Sequence, residues 1–293
     1  MIKRPNSKRH LDDAIRRKYG QESFVQVRTM LANAIVAKML PEGVIKGGTS
    51  LKMRFGNAAT QYTTNLDAAR LSDTEKYLCD LQENLKIGWD GFAGRLITKE
   101  PAAPVNVPTE YIMHPFEIKL SYMGKAWVTV VLEVGHNEIG DADVPDLVIP
   151  EEASTLLHEL GFPSLKHVPL MQLSHQIAQK LHALSAPGSD RIHDLVDLQI
   201  IIDSSETLNY KEIRYILVAD PNLLVCCPAC TRPLEPCFAL SCRAYRIRIP
   251  APCLRPADSD SAPASCSALQ AHQTSSRRHS TQQSGARCAG AFG

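Results

Sequence analysis

Apolar residues recur at helical spacing along the first forty residues, at Ile15, Tyr19, Phe24, Val27, Leu31, Ile35 and Met39. This pattern predicts a helix over 12–40 with a break at Gly20, stopped by Pro41-Glu42-Gly43. Val44-Ile45 then reads as a short strand, and Gly47-Gly48 as a turn into a helix over 50–55. A strand is expected over 62–68 and an amphipathic helix over 73–85, with Ser72 as its cap. Residues 112–120 and 126–134 are apolar or alternating around Tyr122-Met123-Gly124-Lys125, the signature of a hairpin. The stretch 142–150 reads as loop or short strand and 154–160 as a short helix. Helices follow over 171–184, ended by Ala186-Pro187-Gly188, and over 190–202 and 210–217. The order is helix, mixed α/β, then a helical section. Beyond residue 225 the periodicity stops, and Pro, Ser, Ala, Arg, Cys and His dominate. Such a segment buries little apolar area per ordered residue, so it is expected to be disordered.

Composition sharpens that boundary. A chain of 293 residues with 44% hydrophobic and 22% charged residues is long enough for one large or two ordinary domains with real cores. No apolar run approaches the roughly 20 residues that span a bilayer, and the basic start lacks the apolar segment of a signal peptide. These observations lead us to expect a cytoplasmic protein without membrane contact. Net charge is +1, but residues 1–225 carry 24 basic and 28 acidic side chains, whereas 226–293 carry eight arginines and three acids. All fourteen lysines lie at or before Lys211, and eight of nine cysteines lie from Cys226 onward. Two compositional regimes therefore meet near residue 220. We expect an α/β domain over 1–150, a helical domain over 151–220 and a low-complexity tail over 221–293.

Candidate chemistry concentrates at Lys46-Gly47-Gly48-Thr49-Ser50 and, fourteen residues after Ser50-Leu51, at Asn65-Leu66-Asp67. Glycines opening a helix let backbone N–H groups approach phosphate oxygens, and the Thr49 and Ser50 hydroxyls add donors. Positions 65 and 67 of a strand project to one face, where carboxylates commonly hold divalent metal ions. Glu133, the one acid in Val130-Val131-Leu132-Glu133-Val134, is set to complete such a site from a neighbouring strand. Taken singly, each of these short motifs is weak; a glycine turn or a lone acid on a strand is common.

A second block joins them. The helix carrying Ile177-Ala178-Gln179-Lys180-Leu181-His182-Ala183-Leu184 is followed by Arg191-Ile192-His193-Asp194-Leu195-Val196-Asp197-Leu198. Asp194 and Asp197 stand about one helical turn apart. Together the two blocks resemble the AbiEii/AbiGii toxin family of nucleotidyltransferases, within the DNA polymerase β-like superfamily, over roughly residues 12–218. The resemblance implies a polymerase β-like α/β (α+β) domain with a short mixed sheet, followed by a helical domain. It implies transfer of NMP from an NTP to an RNA acceptor, with tRNA the leading candidate, and a cognate antitoxin as partner. It assigns Gly47, Gly48, Thr49 and Ser50 to the phosphates, and Asn65, Asp67 and Glu133 to Mg²⁺. Lys180 would stabilise the leaving pyrophosphate, and Asp194 would support the metal or the acceptor hydroxyl.

Three departures qualify this reading. Gln61 stands where the family pattern has Arg, and Asn65 stands at the first carboxylate position. An amide oxygen can ligate Mg²⁺ but brings no charge, so weaker metal binding and impaired activity are expected. The tail, thirdly, replaces the expected helical ending and reads as a frameshift product, or else as a zinc site through Cys227, Cys230, Cys237 and Cys242. The alternatives are thus a remnant that binds nucleotide or antitoxin without catalysis, and a zinc-dependent nucleic-acid binder. Among the remaining residues, Cys79 is expected in the core, Trp89 and Phe92 to pack at a loop, and His175, His182 and His193 to lie on helices without metal partners.

Overall fold

The computed structural model describes residues 3–57, 59–61, 63–101, 112–185, 189–204 and 207–219. The tail with its cysteine cluster and the helix stop at 186–188 fall outside the described residues. Helix α1 (Lys8–Ala37) starts where the Ser7 hydroxyl accepts the His10 N–H, and it breaks at Gly20, with φ 79° and ψ 168°. Glycine adopts that conformation without Cβ strain, which lets two amphipathic segments meet the sheet at different angles. Leu11 and Ile15 bury from the first segment, and Phe24, Val27, Leu31 and Ile35 from the second. The first segment also buries Asp12, which accepts from Trp127 Nε1 at 2.8 Å and pairs with Lys8 at 3.0 Å, so its charge is satisfied.

Seven strands form one mixed sheet. They are β1 (Gly43–Lys46), β2 (Asn65–Arg70), β3 (Phe92–Thr98), β4 (His114–Tyr122), β5 (Lys125–Gly135), β6 (Asp146–Val148) and β7 (Val168–Leu170), in the order β3-β4-β5-β2-β1-β7-β6. β2 runs antiparallel to β1 and parallel to β5, so it sits at the centre of the row with both ladders satisfied. The β4–β5 hairpin turns through Met123 and Gly124, both with positive φ, as a two-residue turn that matches strand twist requires. The remaining helices are α2 (Gly47–Phe55), α3 (Thr74–Ile87), α4 (Glu151–Glu159), α5 (Leu173–Ser185), α6 (Ile192–Asp203) and α7 (Tyr210–Ala219).

Alternation divides the central strands between two faces. Ile45, Leu66, Ala68, Leu132 and Val134 enter the main core with Leu31, Ile35, Leu81 and Leu85. The opposite face carries Lys46, Asp67 and Glu133 in one row, because Lys46 lies opposite Asp67 and Asp67 opposite Glu133. A small cluster of Val44, Ala69, Ala142 and Met171 closes that face behind the row. A further cluster joins Leu51 of α2 to Leu173, Ile177, Leu198, Ile201 and Ile213 of α5, α6 and α7.

Several expectations change in detail. Helix α2 begins at the glycines themselves, three residues earlier than expected. Asp73, not Ser72, caps α3, its carboxylate accepting the Lys76 N–H at 2.9 Å. Cys79 is exposed on α3 rather than buried, because Tyr77, Leu81 and Leu85 define the buried stripe. Phe92 opens β3 instead of lying in a loop, and its ring packs 4.6 Å from Tyr122 and 5.2 Å from Trp127 between centroids. Strands β3 and β7 widen the sheet beyond the expected core. Among the described residues no helix is long and apolar enough to cross a membrane.

Candidate active site

The site is built where β1 hands over to α2. Gly47 takes φ +66°, and a Cβ there would overlap Asp67 Oδ2, so both the backbone turn and the approach of the carboxylate require glycine. Lys46 is the N-cap residue of α2 and no side chain caps the helix, which leaves first-turn N–H groups without a side-chain acceptor. Thr49 is buried and its hydroxyl donates to the Asn65 carbonyl, tying α2 to the start of β2. Ser50 is fully buried, so of the four expected phosphate donors the two hydroxyls are drawn inward and the glycine backbone remains at the surface of the turn.

Asn65, Asp67 and Glu133 come together by strand register. Asp67 faces Glu133 directly, and Asn65 Nδ2 lies 3.5 Å from Glu133 Oε1, with its Oδ1 accepting from the Thr64 hydroxyl at 3.1 Å. Burial pushes the Asp67 carboxyl up to about 6, and the neighbouring Glu133 adds to the rise, against the pull of Lys46, Lys180 and Arg191. The Asp67 carboxylate is thus costly to ionise where it stands, chiefly because it is buried. Among the described residues no three His, Cys, Asp or Glu side chains form a metal-holding group. The donor set is two carboxylates and the Asn65 amide oxygen brought together by strand register, all hard oxygen ligands of the kind a divalent cation such as Mg²⁺ takes.

The second block folds against the same region. Lys180 of α5 is buried, 9% exposed, and donates to Asp194 Oδ1 at 2.7 Å and to Asp197 Oδ2 at 2.6 Å. Arg191 Nε adds a 2.5 Å bond to Asp194 Oδ2. Burial opposes the Asp194 charge, but the hydrogen bonds from Lys180 and Arg191 outweigh it and hold the group below the usual carboxylate range. Lys180 therefore neither extends into solvent nor stands alone: an ammonium has three N–H donors, and two are engaged here. The fields of Lys180 and Arg191 reach Asp67, which connects the two blocks.

Contacts that the sequence motifs did not foretell complete the frame. Gln61 Nε2 donates to Asp197 Oδ1 at 2.9 Å and to the His193 carbonyl at 2.7 Å, linking the segment before β2 to α6. Asp141, 1% exposed, accepts from the Glu138 N–H at 3.0 Å and from Gln179 at 3.0 Å, one residue from Lys180. A polar side chain adjacent to Lys180 on α5 was the only sequence signal for that contact.

The family described as nucleotidyl transferase AbiEii toxin, type IV TA system, matches residues 30–220. No curated protein matches in sequence. Among solved structures, the nucleotidyltransferase toxin MenT4 of Mycobacterium tuberculosis H37Rv shares 17% identity, covering 72% of this chain and 68% of its own, with a TM-score of 0.45. JHP933 from Helicobacter pylori shares 13% over 66% and 69%, with a TM-score of 0.37. An antigenic nucleotidyltransferase-like protein from Paracoccidioides brasiliensis shares 14% over 75% and 93%, with a TM-score of 0.39. The family match spans both motif blocks and more than half of the chain. The chain belongs to the AbiEii nucleotidyl transferase toxins of type IV toxin–antitoxin systems.

Proposed function

We propose that the protein transfers a nucleoside monophosphate from an NTP to a hydroxyl of an RNA acceptor, tRNA being the first to test, with Mg²⁺ as the metal. The observation that carries this reading is the register that sets Asp67 against Glu133 beside the uncapped glycine start of α2. The glycine N–H groups meet phosphate oxygens, and Asn65, Asp67 and Glu133 hold Mg²⁺, which when bound neutralises phosphate charge and lowers the barrier to displacement. The acceptor oxygen forms a bond to the α-phosphorus as the bond from that phosphorus to the bridging oxygen breaks. Pyrophosphate leaves with the electron pair, and the hydroxyl proton passes to a carboxylate of the row. With two Lys180 donors engaged by Asp194 and Asp197, the third would serve the charge developing on the phosphates. Asp194 acts by fixing the Lys180 ammonium. Such a reaction places the protein in the cytoplasm, held in check by a cognate antitoxin.

A second reading, nucleotide or antitoxin binding without transfer, draws on Asn65, whose amide points its Nδ2 at Glu133 where an acid would bring charge. One experiment separates the two. The protein is incubated with each radiolabelled NTP, Mg²⁺ and bulk tRNA, beside an Asp67→Asn variant. Label on RNA that disappears in the variant supports transfer; NTP binding with no label on any RNA supports the second reading.

A further inference from the structure

Three cations lie in the field of Asp67, and two of them are committed. Lys180 is bonded to Asp194 and Asp197, and Arg191 to Asp194. Lys46 is different: among the described residues no carboxylate oxygen lies within ion-pair distance of it. It is the last residue of β1 and the N-cap of α2, so its backbone is continuous with the glycine turn. Register puts it opposite Asp67, in the same row as Glu133. Its Nζ lies across the sheet toward Gly135, where a Cβ would stand 3.2 Å from Nζ and 3.7 Å from Cε. Glycine at 135 therefore leaves the lane in which this side chain lies. The charged groups it faces are Asp67 on β2 and Asp141 from the loop after β5, and its charge bears on both.

We propose that Lys46 is a further substrate-binding residue of the site, an uncommitted ammonium that meets the triphosphate seated on the α2 N-terminus. The inference rests on the nucleotide-site reading above and deepens it. A triphosphate brought to the first-turn N–H groups of α2 arrives beside the residue that caps that helix. The flexible four-carbon stem of lysine lets its compact charge turn from the lane beside Gly135 toward the phosphates. Before metal and nucleotide bind, the same ammonium offsets part of the negative charge of Asp67 and Asp141, and so competes with a divalent cation. When metal and nucleotide bind together, its charge moves from the carboxylates to the phosphates.

That dual position predicts effects of opposite sign, which a merely structural lysine does not produce. Binding of each of the four ribonucleoside triphosphates with Mg²⁺ is measured by calorimetry for the wild type, Lys46→Met and Lys46→Arg. Binding of Mn²⁺ alone is measured by electron paramagnetic resonance. Lys46→Met should bind the Mg²⁺–nucleotide about tenfold or more weakly, the usual scale for a lost charge-assisted bond. It should bind Mn²⁺ alone as well as or more tightly than the wild type. Lys46→Arg, which keeps the charge, should stay within about threefold of the wild type for nucleotide, an order-of-magnitude expectation for a retained ionic contact. Should Lys46→Met fail to fold, Lys46→Gln gives the same comparison with a polar side chain. Nucleotide affinity unchanged in the neutral variant overturns the proposal, as does Lys46→Arg binding as weakly as Lys46→Met. If the wild type binds none of the four nucleotides, the nucleotide-site reading fails and takes this proposal with it.

Discussion

Replacing Asp67 by asparagine should make the protein more stable at neutral pH while removing its activity. The carboxyl is held up to about 6 against an ordinary value of 3.8, chiefly by burial and then by Glu133. Below the ordinary value both folded and unfolded chains hold the proton, and the group contributes no difference. Between 3.8 and about 6 the folded protein keeps a proton that the unfolded chain has lost, so stability falls as pH rises. Above about 6 both forms are ionised and the full penalty remains. A separation of about two pH units corresponds to about 3 kcal/mol, and solvent reaching the partly buried group reduces this to about 1–3 kcal/mol. Asp67→Asn removes that penalty with little change in volume. Urea unfolding followed through Trp89 and Trp127 fluorescence should show a higher midpoint for the variant at pH 7.5, at unchanged slope. The gain should shrink toward pH 5. Asp141, also pushed up to about 6 by burial, titrates in both proteins and cancels in the comparison. Millimolar Mg²⁺ should raise the midpoint of the wild type and leave the variant nearly unmoved. A variant less stable than the wild type at pH 7.5, or a gain independent of pH, would show that Lys46, Lys180 and Arg191 already compensate Asp67 and would refute the reasoning.

Other substitutions test other parts of the site. Lys180→Met leaves Asp194 and Asp197 buried without their shared cation, and should lower unfolding stability by about 3–5 kcal/mol in urea titrations at pH 7.5. Gly47→Ala combines a strained positive φ with overlap at Asp67 Oδ2; nucleotide affinity should fall at least about tenfold by calorimetry, together with a lower melting temperature. Asn65→Asp adds a third carboxylate to the row, so Mn²⁺ binding should tighten by about tenfold while the metal-free protein loses stability to the added repulsion. Unchanged Mn²⁺ affinity in Asn65→Asp would mean that position 65 does not reach the metal.

What was legible in the sequence follows from how far each signal extends along the chain. The 3.6-residue spacing from Ile15 to Ile35 is local and repeated, so α1 and even its break at Gly20 could be read directly. The acids at 67 and 133 could be placed on strands because each interrupts an apolar run. Strand β3 was missed because it lies at the sheet edge, where only Phe92 is buried and the rest are half-buried or exposed without clean alternation, and β7 because three residues with a central proline carry no period. The contacts made by Gln61, Asp141 and Asp197 escaped for another reason. Their partners, His193, Gln179 and Lys180, come from separate elements, and the polar residues themselves look like ordinary surface positions until the chain is folded. Ser72 failed as a cap because α3 starts at Thr74, one residue later than expected, which puts Asp73 at the cap position.

Leu51 has a consequence for how this protein can be divided. Two residues beyond Thr49, which pins the glycine turn to β2, it enters the apolar cluster formed by α5, α6 and α7. The short helix that presents the glycine N–H groups is thus clamped at once by the sheet and by the helical section. Severing the chain near residue 150 would leave Leu51 facing water and unload one side of that clamp. The sheet region expressed alone should keep much of its main core yet lose the fixed angle of α2, and protease sensitivity should appear first between Gly47 and Phe55. The cradle is then a shared possession of both halves of the polypeptide, and neither half can be expected to inherit it.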